Sequence, residues 1–297
     1  MLAKPTLLVL AVGLLLATGL AWKHLSPTPL SAAAPAELQA PNPAPLPPPR
    51  SANSAAATTD PHSTKLIRQF PVLKERAELG DVKSQRLLAD VYDACRTAKA
   101  DPADFLERHA TTPFLSAENT DELSLALAHA RVDDCSVVDE GGFPTWQLIR
   151  EWYAKAADKG DLAARIRDLA AEYSVGPPLD ADEANQLLED VIASQDPAAI
   201  YAYGEKTGGP LTRNIGKDRS FLVEDRSADR VWRLAACRMG YDCSPQSMMY
   251  SNLCLQEGAC AYGDYEQVLR SGGMTEAERN QLEPRTQALL KLLQGTL

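Results

Sequence analysis

Residues 146–173, WQLIREWYAKAADKGDLAARIRDLAAEY, decide the fold. Trp146, Ile149, Trp152, Tyr153 and Ala156 recur at three- and four-residue spacing, which lays one apolar stripe along a helix. Ala156 and Ala157 then offer small side chains where two helix backbones can approach. Gly160 stands where a helix end takes a left-handed residue, a conformation that costs glycine nothing sterically. Asp161 is placed to cap the next helix by accepting a backbone hydrogen bond from its first turn. In that second helix Ala164, Leu169, Ala170 and Tyr173 line the returning face. A helix pair of this kind cannot bury its stripe alone and needs a neighbour, which is why such units come in arrays.

Working outward, the same turn chemistry recurs. Ala77-Glu78-Leu79-Gly80-Asp81 is followed by Ser84, Leu88, Ala89 and Tyr92, four, eight, nine and twelve residues after Gly80. Around Gln195-Asp196 the equivalent roles fall to Ala199, Tyr203 and Gly204, with Gln195 in place of glycine. Around Gly240, preceded by Ala236 and Cys237, they fall to Ser244, Met248 and Met249. The turns at 80, 160, 195 and 240 lie 80, 35 and 45 residues apart. A period near 40 is that of helical repeats, and the doubled first interval predicts a degenerate repeat over 101–145.

The motif Trp152-Tyr153-x-Lys155-Ala156-Ala157-x-x-Gly160, with Ala164 and Tyr173 after it, resembles the Sel-one-like repeat family, a relative of the tetratricopeptide repeats. Ala77-x-x-Gly80 through Tyr92 is the second match. The chain departs from the pattern at Gln195, at one inserted residue before Leu169, and in lacking the glycine-rich loop that closes each repeat. The resemblance implies an all-α fold, an α/α solenoid of helix hairpins, and a concave face that holds other proteins or peptides.

The chain has 297 residues and a formal net charge of −10, with lysines and arginines scattered, which argues against a nucleic-acid partner. Residues 5–22, PTLLVLAVGLLLATGLAW, carry no charge. Their roughly 27 Å of helix matches a bilayer core and exceeds the usual core of a signal peptide. An uncleaved membrane anchor within residues 1–25 is the preferred reading, with a cleaved signal as the alternative. Residues 26–63 are rich in proline, alanine and serine and read as a tether extending up to ~110 Å. A helical domain is expected from residue 64 to 297. Within it Asp180 opens a helix over 181–193, Gly208 to Lys217 is the longest loop, and Thr275-x-x-Glu278 is a capping box for a final helix that closes the array.

Chemistry-bearing motifs are sparse. His109 and His129 have no partner of ligand type at helical spacing, so neither metal nor cofactor is expected. Lys206-Thr207-Gly208 looks like one of three penicillin-recognition motifs, but the other two are missing. Carboxylates are plentiful, yet no two are paired in an apolar setting. Catalysis has no support in these residues.

Six cysteines, Cys95, Cys135, Cys237, Cys243, Cys254 and Cys260, allow fifteen full pairings. An exported chain favours bridges over free thiols. With Ser244 and Pro245 opening a helix that runs to Cys254, Cys243 and Cys254 stand ~16 Å apart, beyond a bridge. Cys237–Cys243 then staples the hairpin turn, Cys254–Cys260 closes the next loop, and Cys95–Cys135 follows by exclusion. The expected protein is an adaptor tethered in the bacterial envelope, its main domain periplasmic, holding a protein or peptide partner without catalysing a reaction. The alternatives are a cell-wall or β-lactam-type hydrolase or binding protein of the cysteine-rich Sel-one-like kind, and a structural envelope protein.

Overall fold

The turn signals read above separate helices throughout the computed structural model, which describes residues 64–111, 120–139, 142–173, 177–223, 227–257, 265–271 and 274–295. All of these lie in one compact unit, Ala55–Leu297; a second unit, Met1–Ser54, lies outside the described residues. The apolar run 5–22, the tether 26–63 and Cys260 therefore fall outside them too. Among the described residues there are thirteen α-helices and no strand, and no helix is long and apolar enough to cross a membrane. The protein is all-α.

The helices are α1 (Lys65–Arg68), α2 (Phe70–Glu78), α3 (Val82–Ala100), α4 (Pro102–Thr111), α5 (Thr120–Cys135), α6 (Trp146–Ala157) and α7 (Leu162–Glu172). They continue with α8 (Ala181–Ser194), α9 (Pro197–Gly204), α10 (Ala228–Arg238), α11 (Met248–Glu257), α12 (Tyr265–Ser271) and α13 (Glu276–Leu293). The turns form for local reasons. Gly80, Gly160 and Gly240 sit at φ +95°, +93° and +101°, a region that Cβ-bearing residues avoid. Gln195 adopts the same left-handed conformation at φ 51° despite its side chain. Asp81, Asp161, Asp180 and Asp196 then each cap the following helix, accepting from the backbone N–H of Ser84, Ala164, Glu183 and Ala198. Thr275 and Glu278 complete a reciprocal capping box on α13.

Packing follows a line. α2 packs on α3, α3 on α6, α6 on α7, α7 on α9, α9 on α10 and α10 on α13. Ile149, Trp152, Tyr153 and Ala156 of α6 are buried with Leu88, Ala89 and Tyr92 of α3 in one core. Ala163 and Ile166 of α7 belong to a second, larger core around Tyr203 and Trp232. Where α9 crosses α10 the backbones are so close that a Cβ on Gly204 would stand 2.7 Å from the Trp232 Cβ.

Three expectations are corrected. The hairpin α4–α5 that fills 101–145 is helical but is not interposed in the line, because α3 lies directly against α6. It packs instead beside α3 and α11, burying Phe105, Leu127 and Ala128 with Ala98, Cys254 and Leu255. Trp146 does not join the buried stripe; it is 54 % exposed, with the Arg96 guanidinium over its ring at 4.3 Å. The helix expected from Ser244 begins at Met248: Asp242 holds the Ser244 N–H, and Ser247 accepts from the Tyr250 N–H in the first turn.

Candidate functional site

The turns and α11 line an open groove of about 1160 Å³. The turns line it through Gly160, Asp161, Asp196 and Gly240–Asp242, and α1 and α11 through Leu66, Met248, Met249 and Leu253. The floor comes from α3, α7, α9 and α10 and is strongly polar.

The floor grows from the face of α3 that presents Arg86, Asp90 and Asp93. Arg86 donates from Nε to Asp161 Oδ2 at 3.0 Å and from Nη1 to Asp90 Oδ2 at 3.3 Å. Burial opposes the Arg86 charge, but the Asp90 and Asp161 carboxylates prevail and hold its pKa above the ordinary value. The Tyr153 hydroxyl donates to Asp90 Oδ1 at 2.7 Å, and Arg167 Nε lies 3.3 Å from the same oxygen. Arg167 also reaches Glu205 Oε2 at 2.9 Å. Burial works against the Arg167 guanidinium, and Glu205, Tyr153 and Asp90 more than compensate. Asp161 thus caps α7 and binds Arg86 across to α3. Farther along, Tyr201 and Tyr241 stack with ring centroids 4.4 Å apart and planes within 9°.

Two floor groups are left over. Asp93 and Lys206 line the groove, and among the described residues neither side chain makes a hydrogen bond or an ion pair. Burial pushes the Asp93 carboxyl up and the Lys206 ammonium down, so each is held where its charge is poorly solvated. Each is also within electrostatic reach of the other.

Most of the repeat positions read in the sequence lie behind this groove, whereas Tyr153, Asp161, Asp196, Lys206, Met248 and Met249 line it. Ala77, Tyr92, Trp152, Ala156 and Ala164 are buried in the core behind α3 and α6, with Ala157 packed partly against it. Tyr173 packs partly against the second core, and Gly204 is buried in α9. Gly160 and Gly240 line the groove as well. Cys95–Cys135 joins α3 to α5, and Cys237–Cys243 closes the α10–α11 turn. Cys254 is disulfide-bonded as well. Arg131 reinforces the first strap: from α5 its Nη1 donates to Ala94 O at 3.0 Å, and its Nη2 to Ser251 Oγ at 2.7 Å and Asn252 Oδ1 at 2.9 Å. Burial lowers the pKa of Arg131 to about 10. His109 is buried 3.4 Å from Ser124 Oγ on the α4–α5 side, away from the groove.

Asp90 and Asp93 share one face of α3, in a polar rather than an apolar setting. The Asp90 charge is one of the causes that raise Asp93, after burial. Their three-residue spacing on a helix puts them on one face, which was the available signal. Lys206, set aside with its motif, stands two residues beyond α9 and faces the same floor. Among the described residues no cluster of three or more metal-ligating side chains occurs. No model of a known protein family, no curated protein and no solved structure matches the chain.

Proposed function

We propose that the protein is an envelope-tethered helical-repeat adaptor that holds a segment of another protein in the groove. The observation that carries this reading is the groove itself: open, charged on its floor, and lined by stacked tyrosines and by methionines on α11. Such a surface suits an extended peptide, which supplies alternating polar and apolar contacts along its length. The recurrent turns and the successive packing of α2–α3, α6–α7 and α9–α10 support a Sel-one-like repeat origin. The disulfides fit an oxidising compartment. The uncharged run at 5–22 supports a membrane anchor with the domain held on the periplasmic side. The reading is non-catalytic and needs no cofactor.

Site-specific photocrosslinking in intact cells tests it. A photoreactive residue at Lys83 or Gln256 on the groove should yield a discrete protein adduct. The same residue at Arg150, exposed and not lining the groove, should not. Equal labelling from both faces, or none from the groove, overturns the reading.

A further inference from the structure

We infer that Asp93 and Lys206 are the two halves of a recognition site for an ammonium and a carboxylate presented side by side, supplied by a peptide segment with neighbouring basic and acidic side chains. The inference rests on the groove being a peptide-binding face and specifies what it selects.

The arginines of the floor are already paired. Arg86 is taken by Asp90 and Asp161, and Arg167 by Asp90 and Glu205. Arg233 is held by Asp229 at 3.1 Å. Those groups build the floor and are paired within the protein. Asp93 and Lys206 come from different elements, α3 and the segment after α9, face the same space, carry opposite charge, and make no hydrogen bond or ion pair among the described residues. They also do not meet, since no ion pair joins them within 4.0 Å. Burial disfavours both charges, and what offsets it is attraction at a distance, from Arg167, Arg96 and Lys206 at Asp93 and from Glu205 and Asp93 at Lys206, rather than a hydrogen bond or ion pair. A lone anion on Lys206 leaves Asp93 unpaired, and a lone cation on Asp93 leaves Lys206 unpaired. A ligand with both charges satisfies both residues and adds no net charge to the floor. In an extended peptide, side chains two residues apart point the same way about 7 Å apart, so one face of a short segment presents such a pair.

The test uses the full-length protein in detergent and blocked peptides with acetylated and amidated ends. The probes are Gly-Lys-Gly-Glu-Gly, its reversed-charge-order partner Gly-Glu-Gly-Lys-Gly, the two single-charge versions, and pentaglycine. One of the two doubly charged peptides should bind about tenfold more tightly than either single-charge peptide. Asp93→Asn should erase the gain due to the peptide's lysine alone, and Lys206→Met the gain due to its glutamate alone. Both variants remove charges without ion-pair partners, and circular dichroism checks that they fold. Free alanine, a zwitterion without a peptide, separates the sources: equal or tighter binding of alanine, lost in both variants, keeps the paired-charge site but overturns the peptide source. Equal binding of pentaglycine overturns the inference while leaving the adaptor reading intact. Failure of every probe to bind at millimolar concentration overturns the inference, and the groove crosslinks then decide the adaptor reading separately.

Discussion

The helix pairs α6–α7 and α4–α5 are made of similar materials and end in different places. The first is packed on both sides, with α3 against α6 and α9 against α7. The second touches the body along one side and is strapped to it by Cys95–Cys135 and by the hydrogen bonds of Arg131. The difference lies in how many faces of each pair are covered. Ala156, Ala163 and Ala164 are all buried to within 1 % of their surface, letting neighbours close in on both faces of the α6–α7 pair. The α4–α5 pair buries Phe105 and Leu127 on one side and presents Glu107, Arg108 and His129 to solvent. A pair with one apolar face can end a stack or lie beside it, but cannot sit inside it. The lesson is that covalent and polar straps do for α4–α5 what apolar burial does for α6–α7.

Trp152→Ala tests the sandwiched pair and should have the largest effect. The ring is 8 % exposed, so a loss of about 3–5 kcal/mol is expected in chemical denaturation. Trp146→Ala, at the other end of the same helix, should cost under about 1 kcal/mol because that ring is half in solvent. Equal losses would erase the distinction between the stripe and the helix end.

The strap comes next. Cys95→Ser with Cys135→Ser opens a bridge spanning 40 residues, for which the loop-entropy relation gives about 4 kcal/mol. Hydrogen exchange should quicken in α4 and α5 while α6 and α7 stay protected. Uniform quickening would show that the strap serves the whole domain.

Gly204→Ala probes how tightly the line of helices is drawn. The added Cβ would meet Trp232 at 2.7 Å, and overpacking of this kind costs about 1–3 kcal/mol. A neutral result would mean that α9 and α10 can part without consequence.

The smallest effect concerns the groove. Asp93 has a raised folded pKa, caused first by burial, so its charge destabilises the fold at neutral pH. Asp93→Asn should therefore raise the melting temperature slightly at pH 7, and the gain should vanish as acid protonates the wild-type carboxyl through its folded pKa. Glu266 and Glu283 behave oppositely. Hydrogen bonds from Arg270 to Glu266 and from Arg238 to Glu283 lower both, so their stabilisation exists above the unfolded carboxylate range and is lost as pH falls through the lowered values. A wild-type protein whose stability rises on acidification below pH 4 would contradict that sign.

Sequence alone determined most of the helices and their ends, the start of α11 excepted. Stripe periodicity, a left-handed residue and an aspartate cap are local, and each works within a few residues of chain. Gly80, Gly160 and Gly240, the caps Asp81, Asp161 and Asp196, and the capping box at Thr275 were therefore legible, as was the pairing of Cys95 with Cys135 and Cys237 with Cys243. The exit of α4–α5 from the line was not legible, because it depends on which of two partners α3 prefers along its length. Nor was the groove. Asp90 and Asp93 share α3, Arg167 lies on α7, and Glu205 and Lys206 follow α9, so across these elements they read as solvated charges. Only the packing of α3, α7 and α9 draws them from water, and burial rather than spacing turns ordinary charges into a floor with two groups left unpaired.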